Sequence, residues 1–414
     1  MEAISRPSSL SATAQQISDA VNGHEADLHV INAKIHSNPE TCYEEFQAHD
    51  VIVDFLEKRG FGVTKNAFGL QTAFLTEYGQ GGRIVTFCAE YDALPQIGHG
   101  CGHNLIAVSS IAAFLGTVAA MKESSSPGRV QLLGCPAEEG GGGKLKLIEA
   151  GAFANVDAAL MIHPTPPVDH SRPEIAGISY GTCLSACGVN ATFIGKPSHA
   201  AATPWEGINA LDAATLSYTA VGLLRQHIRP SDRINIIMPE GGTAHNVIPE
   251  RSRIRCNVRS ETAAQMNSLK ARVEDCFKGS ATATGCTMEL SVAMAPYTDI
   301  RPNEGLCTEF ADAMEKWERK FVCNLENKVL SAFSTDMGNV SYEVPSFHGN
   351  FSIPTAPGVG LHTEEFRDAA GTLEAHKAAM GVGKGMAVTG LRVLKDEQFA
   401  SLIKDNFEAD KKLR

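Results

Sequence analysis

A chain of 414 residues is long enough for two or three domains, and a 43% hydrophobic content is ample for their cores. The formal net charge of −11 argues against nucleic acid and anionic membrane surfaces as partners. No apolar run reaches ~18 residues, so no membrane-spanning segment is expected.

The opening MEAISRPSSLSATAQQ lacks an apolar core and a basic leader, so it does not read as a signal peptide. Residues 1–13 are expected to form a polar tail. Residues 14–58 read as two helices broken at Ser37-Asn38-Pro39, the second with Phe46, Ile52, Phe55 and Leu56 near one face. Strands at 69–76 and 83–90, a helix at 104–122 opening on Asn104 as N-cap, a strand at 129–135, a helix at 144–150 and a strand at 157–162 follow. That rhythm predicts a largely parallel sheet covered by helices. The style changes near residue 183. Segments 187–195, 207–228, 233–239, 251–259, 262–278 and 286–294 read as βαββαβ, a ferredoxin-like α+β unit. The predicted organisation is an α/β domain over 1–185 and 298–414, interrupted by a smaller domain at 186–297. Eleven cysteines without framework spacing suit free thiols in a reducing compartment, which makes the cytoplasm the expected setting.

Chemistry-bearing residues collect in five stretches. In PQIGHGCGHNLIAV, His99, Cys101 and His103 stand two apart, and an extended backbone would turn all three to one side. CAEYDALP carries Glu90 and Asp92, and CPAEEGGGGK carries Glu138 and Glu139. LMIHP carries His163 and GLHTEEF carries His362. Three of these stretches end predicted strands, and open α/β sheets gather their sites at the carboxyl ends of strands. Thiol, imidazole and carboxylate together suit zinc and neighbouring transition metals. Taken singly, each signal has a plainer reading: Asp92 as a turn residue, Cys101 as a buried thiol, His163 as a core histidine. Paired acids beside a glycine run fit a division of labour, one carboxylate on a metal and its neighbour taking a proton from water.

In order, EYDALP, GHGCGHN, PAEEGGGGK, MIHP, GKPSHAAATPWEGINALDAA, GGTAHNVIP, FSTDMGNVSY and GLHTEEF resemble the aminoacylase/carboxypeptidase family of metallopeptidases, in particular its amidohydrolase branch. The likeness runs from about residue 30 to 394. It implies a di-metal catalytic domain with an inserted lid that forms a homodimer, acting on an N-acyl amino acid, an amino-acid conjugate or a dipeptide. By the same resemblance Cys101, His103, Glu139, His163 and His362 would ligate two divalent ions. Zinc heads the candidates, with manganese, cobalt and nickel as other occupants. Glu138 would be the general base, Asp92 its supporting acid, and His199 a group reaching the partner subunit's site. Asn246 and Arg259 would hold substrate, with Thr335, Asp336 and Gly338 at the pocket floor. Glu90 departs from the family's older peptidase branch, which has a histidine there, and agrees with the amidohydrolase branch. Three rivals stand beside this reading. One is a thiol enzyme using Cys101 and His103. Another is a deacylase or amide-forming enzyme of specialised metabolism, and the last is a non-catalytic binding protein on the same fold.

Overall fold

The computed structural model describes residues 9–123, 127–328, 331 and 333–414. The chain opens with α1 (Ser9–Gly23), α2 (Glu25–Ser37), α3 (Phe46–Glu57), β1 (Val63–Lys65), β2 (Phe74–Gln80) and β3 (Ile84–Ala89). It continues through α4 (His103–Lys122), β4 (Gly128–Gly134), α5 (Gly143–Glu149), β5 (Ala158–Thr165) and β6 (Ile175–Ile178). Next come β7 (Ser185–Ile194), α6 (Ala210–Leu224), β8 (Arg233–Glu240), β9 (Arg251–Ser260), α7 (Ala263–Thr284) and β10 (Thr287–Tyr297). Last are α8 (Glu304–Glu315), β11 (Lys320–Val322), α9 (Met337–Glu343), β12 (Ser346–Ser352), α10 (Glu364–Ala370), α11 (Leu373–Lys395) and α12 (Glu397–Lys411). These fall into two compact units, one from described residues of 1–182, 300–329 and 339–413, the other from 183–299 and 330–338.

The first unit is built on an eight-stranded mixed sheet in the order β1-β2-β4-β3-β5-β12-β6-β11. Its centre, β4-β3-β5-β12, is parallel throughout. Strand β3 is buried along its whole length, as a strand covered on both faces must be. Helix α4 is apolar on every side and packs against α11, α1, α2 and strands β3 to β5. It is long and apolar enough to cross a membrane, yet it is the buried core helix of this unit. Gly383 lets α11 approach it closely, since a Cβ there would meet Ala112 Cβ at 2.8 Å and Ser109 O at 2.9 Å.

The second unit holds a four-stranded antiparallel sheet, β10-β7-β9-β8, with the βαββαβ connectivity of a ferredoxin-like fold. Helices α6 and α7 bury Ala213, Val221, Leu269 and Phe277 with Phe193, Ile254 and Val258 of the sheet. The alternation of buried and more exposed positions along β9 sets which face meets the helices.

Several local expectations change. Helix α1 already begins at Ser9, so the polar tail is shorter than 13 residues; residues 1–8 lie outside the described ones. A second break, at His24, divides α1 from α2, and Phe46 is exposed on α3 rather than buried. Strand β2 starts at Phe74, after a short turn at 67–69. Helix α4 starts at His103, behind Gly102 at φ +79°, so Asn104 is not its cap. Its amide instead donates to Asn32 Oδ1 and to the Ala370 carbonyl.

Phe114 sits at the centre of this core, its ring edge-on to Phe61 at 5.1 Å. Phe114→Ala is expected to cost about 3–5 kcal/mol in a denaturant titration. A loss under about 1 kcal/mol would contradict the packing described.

Candidate metal centre

Four neighbouring parallel strands deliver the donor groups at one edge of the sheet. β3 ends at Ala89, and Glu90 and Asp92 follow at once; β4 ends at Gly134, and Glu138 and Glu139 open the turn at 138–141. His163 lies near the carboxyl end of β5, and His362 on the loop after β12. Segment 96–102 forms turns rather than an extended run. His99, Cys101 and His103 therefore diverge: Cys101 and His103 reach the centre, while His99 stacks on His36 with centroids 6.2 Å apart. Ala137 and His362 hold non-glycine positive φ values of 61° and 64°. Strained backbone of this kind persists only where its surroundings fix it.

Within the first unit the donors form three overlapping triplets, each with its ligand atoms within 4.8 Å of one another: Cys101-His103-His163, Cys101-Glu139-His362 and His103-Glu138-Glu139. Cys101 Sγ is 3.3 Å from His163 Nε2, and His362 Nε2 is 3.4 Å from Glu139 Oε1. His103 Nε2 lies 3.8 Å from Glu138 Oε2 and 3.9 Å from Glu139 Oε1. Asp92 ties the set together. One of its oxygens accepts from His103 Nδ1 at 3.0 Å, and the other accepts the Glu139 backbone N–H at 2.9 Å. His163 Nδ1 donates to the Pro164 carbonyl at 2.7 Å. Both imidazoles thus have Nδ1 committed and turn Nε2 inward, the arrangement that orients histidine ligands on a metal.

The residues present fit a metal. His103 Nε2 is buried without a hydrogen-bond partner, which is costly unless something else satisfies it. Burial, followed by His103 and His348, pushes the His163 pKa down to about 3, so its ring is a neutral donor near pH 7. Against its own burial, Cys101 and Asp92 raise the pKa of His103. Also against burial, His362 and His103 hold the Glu139 carboxyl below its ordinary value. Burial and then Glu139 drive the Cys101 thiol well up.

Of the remaining expected residues, His199, Asn246, Arg259, Thr335, Asp336 and Gly338 belong to the second unit. His199 is exposed, and its Nδ1 accepts from Ala201 and Ala202 N–H at 3.2 and 3.1 Å, which leaves the proton on Nε2. The exposed Asn246 lies beside it, its carbonyl accepting from Ala200 N–H at 3.0 Å. Arg259 is partly buried and donates to Asn257 Oδ1 and Ser334 Oγ, both at 3.1 Å. Thr335 and Asp336 are buried, and a side chain at Gly338 would collide with the Thr298 carbonyl.

Sequence reasoning did not single out Lys144. It is fully buried, and its ammonium pairs with Glu90, also fully buried, at the floor of the carboxylate cluster. Glu90 Oε2 is 3.6 Å from His103 Nε2. A lysine opening a helix behind four glycines looks like a surface residue, so no local signal marks it. Lys144→Met is expected to lower stability by ~3–5 kcal/mol, because it strands a buried carboxylate. Adding Glu90→Gln should restore part of the loss; a solvated pair would show neither effect. Denaturant titration of the two variants reads the difference.

Residues 184–283 match the peptidase dimerisation domain of the M20 peptidases. The Xaa-Arg dipeptidase of Mus musculus is 39% identical over 381 residues, covering 89% of this chain and 85% of that protein. A p-aminobenzoyl-glutamate hydrolase component of Escherichia coli is 28% identical, with 92% of each chain covered. Among solved structures, a dinuclear metal binding peptidase of the M20 family from Bacillus subtilis superposes with a TM-score of 0.68 at 19% identity, over 90% of this chain and 99% of that one. With two thirds and more of a 39%-identical relative covered, the chain belongs to the M20 peptidase family, the aminoacylase/carboxypeptidase metallopeptidases, and is a hydrolase of amide or peptide bonds.

Proposed function

We propose that the protein hydrolyses the amide bond of a dipeptide or N-acyl amino acid at a centre of two divalent ions. The observation that carries this reading is the convergence of Cys101, His103, Glu139, His163 and His362 from four adjacent strand ends, with Glu138 beside them. These five are the proposed ligands. Their mixture of sulfur, nitrogen and oxygen favours zinc, with manganese, cobalt and nickel as other occupants. When bound, the ions would polarise the amide carbonyl and acidify a water.

The chain's own groups do the rest. A Glu138 oxygen takes a proton from the attacking water and delivers it to the leaving nitrogen. Asp92 fixes the direction of His103 and the backbone of Glu139, so two ligands turn together. His199, protonated at Nε2, is the donor for the developing oxyanion, offered across a homodimer built on the inserted domain. Arg259 and Asn246 take the substrate carboxylate or carbonyl, and Thr335, Asp336 and Gly338 shape the pocket. The domain limits we assign are 1–185, 186–297 and 298–414. Eleven free cysteines support a cytoplasmic setting.

The mouse relative's name directs the first assay to dipeptides ending in arginine. Amine release should be followed with Ala-Arg, Lys-Arg and a set of N-acyl amino acids. Dialysis against a chelator should abolish turnover, and zinc or manganese should restore it. Glu138→Ala should lower kcat by roughly 10²–10⁴-fold, the usual span of a general base. Turnover that survives either treatment would contradict the proposal.

A further inference from the structure

Loop 39–45, between α2 and α3, touches both carboxylate-bearing loops of the centre without supplying a donor to it. The Glu40 carbonyl accepts the Ala93 N–H at 2.8 Å, just after Asp92. Its carboxylate accepts Gln47 and Ala48 N–H, both at 2.9 Å, pinning the start of α3. Glu45 reaches the other loop. One of its oxygens accepts both the Tyr43 and the Ala137 N–H at 2.9 Å, and the second accepts the Thr72 hydroxyl at 2.7 Å. Tyr43 donates its hydroxyl to the Gly141 carbonyl at 2.6 Å, and the Lys146 ammonium lies 3.9 Å from the centre of its ring.

These bonds bracket Glu138 and Glu139. Ala137 sits immediately before them at φ +61°, a left-handed conformation an alanine adopts only under constraint, and Gly141 follows two residues after. The run Gly140–Gly143 gives the loop little stiffness of its own. Thr72 is itself held, its carbonyl accepting from the buried Tyr91 hydroxyl. Tyr91 stands between Glu90 and Asp92, so the network returns to the first loop.

We infer that Glu45, with Tyr43, is a positioning residue: it clamps the Ala137–Gly141 turn so that the Glu138 and Glu139 carboxylates present a fixed geometry to the metal centre. The inference rests on the metal-dependent reading above. The hydrogen bonds of Glu45 go to the Tyr43 and Ala137 N–H and the Thr72 hydroxyl, not to a ligand side chain; it acts through the Ala137 backbone. A carboxylate is buried here despite the cost, because three donors converge on it. Burial and then Asp92 raise its pKa to about 7. The requirement is an acceptor at that point, and a glutamine carbonyl supplies one.

The test compares wild type with Glu45→Ala, Glu45→Gln and Tyr43→Phe. Zinc affinity is measured by competition with a chromogenic chelator, with kcat and KM on Ala-Arg or the best substrate of the panel. Glu45→Ala should weaken zinc binding about 10–100-fold, as loss of an outer support does. It should lower kcat while KM stays within about twofold, because the residue orients rather than binds substrate. Glu45→Gln should recover most of both losses, and Tyr43→Phe should show a smaller loss in the same direction. A folded Glu45→Ala protein with zinc affinity and kcat within twofold of wild type overturns the inference, as does a Gln variant no better than Ala. Should Glu45→Ala fail to fold, Tyr43→Phe decides, and unchanged affinity and kcat there overturn it. A wild-type protein that takes up no zinc overturns the metal reading itself, and the inference with it.

Discussion

Glu90, Asp92, Glu138 and Glu139 crowd one edge of a sheet, with the Cys101 thiol among them and little water to separate their charges. Such a cluster is tolerable only if positive charge is placed within it, since a buried carboxylate without a partner or a metal is expensive. The chain places a fixed cation there, Lys144, and gives it to Glu90. The imidazole of His103 is drawn toward its protonated form by its anionic neighbours, a partial answer to the same surplus. What remains is a set of inward-facing nitrogen, sulfur and oxygen atoms that divalent ions would satisfy. The metal requirement and the stability of this sheet edge are, on this account, one electrostatic problem.

The architecture around the centre follows from that problem. Parallel strands bring their carboxyl ends to one side, so a single register places four loops together. Asp92 then serves two loops at once, orienting His103 on α4 and the backbone of Glu139 beyond β4. Loop 39–45 ties the same two stretches from outside. Behind them, α4 and α11 form a close-packed layer that gives the loops a rigid base. The inserted unit folds around its own core and offers His199 and Asn246 on exposed loops.

Part of this is legible in the sequence because Glu90, Asp92, Glu138, Glu139 and His163 sit in short stretches at or just beyond strand ends. Glu138-Glu139 before a glycine run, and Cys101 and His103 at the start of a long apolar helix, stand out as candidates, but their roles as base and ligands come from the family resemblance, since each alone has a plainer reading. The βαββαβ order between β7 and β10 was legible for a similar reason: its strands and helices keep clean periods. What escaped depends on neighbours distant in the chain. Nothing near Lys144 says that Glu90, fifty-four positions earlier, will meet it in the core. Asn104 reads as a cap by local rules, yet its partners are Asn32 and Ala370. The even spacing of His99, Cys101 and His103 suggested one face, but glycine turns break the extended geometry, and His99 leaves the group to stack on His36.

The most direct test is a crystal structure of metal-loaded protein, with anomalous diffraction collected at the zinc edge. The account predicts two anomalous peaks about 3.5–4 Å apart, the spacing of two-metal hydrolytic sites, enclosed by Cys101, His103, Glu139, His163 and His362. Glu138 should face them without being a ligand. A single peak, or peaks held by other residues, would contradict the di-metal centre on which the functional reading rests.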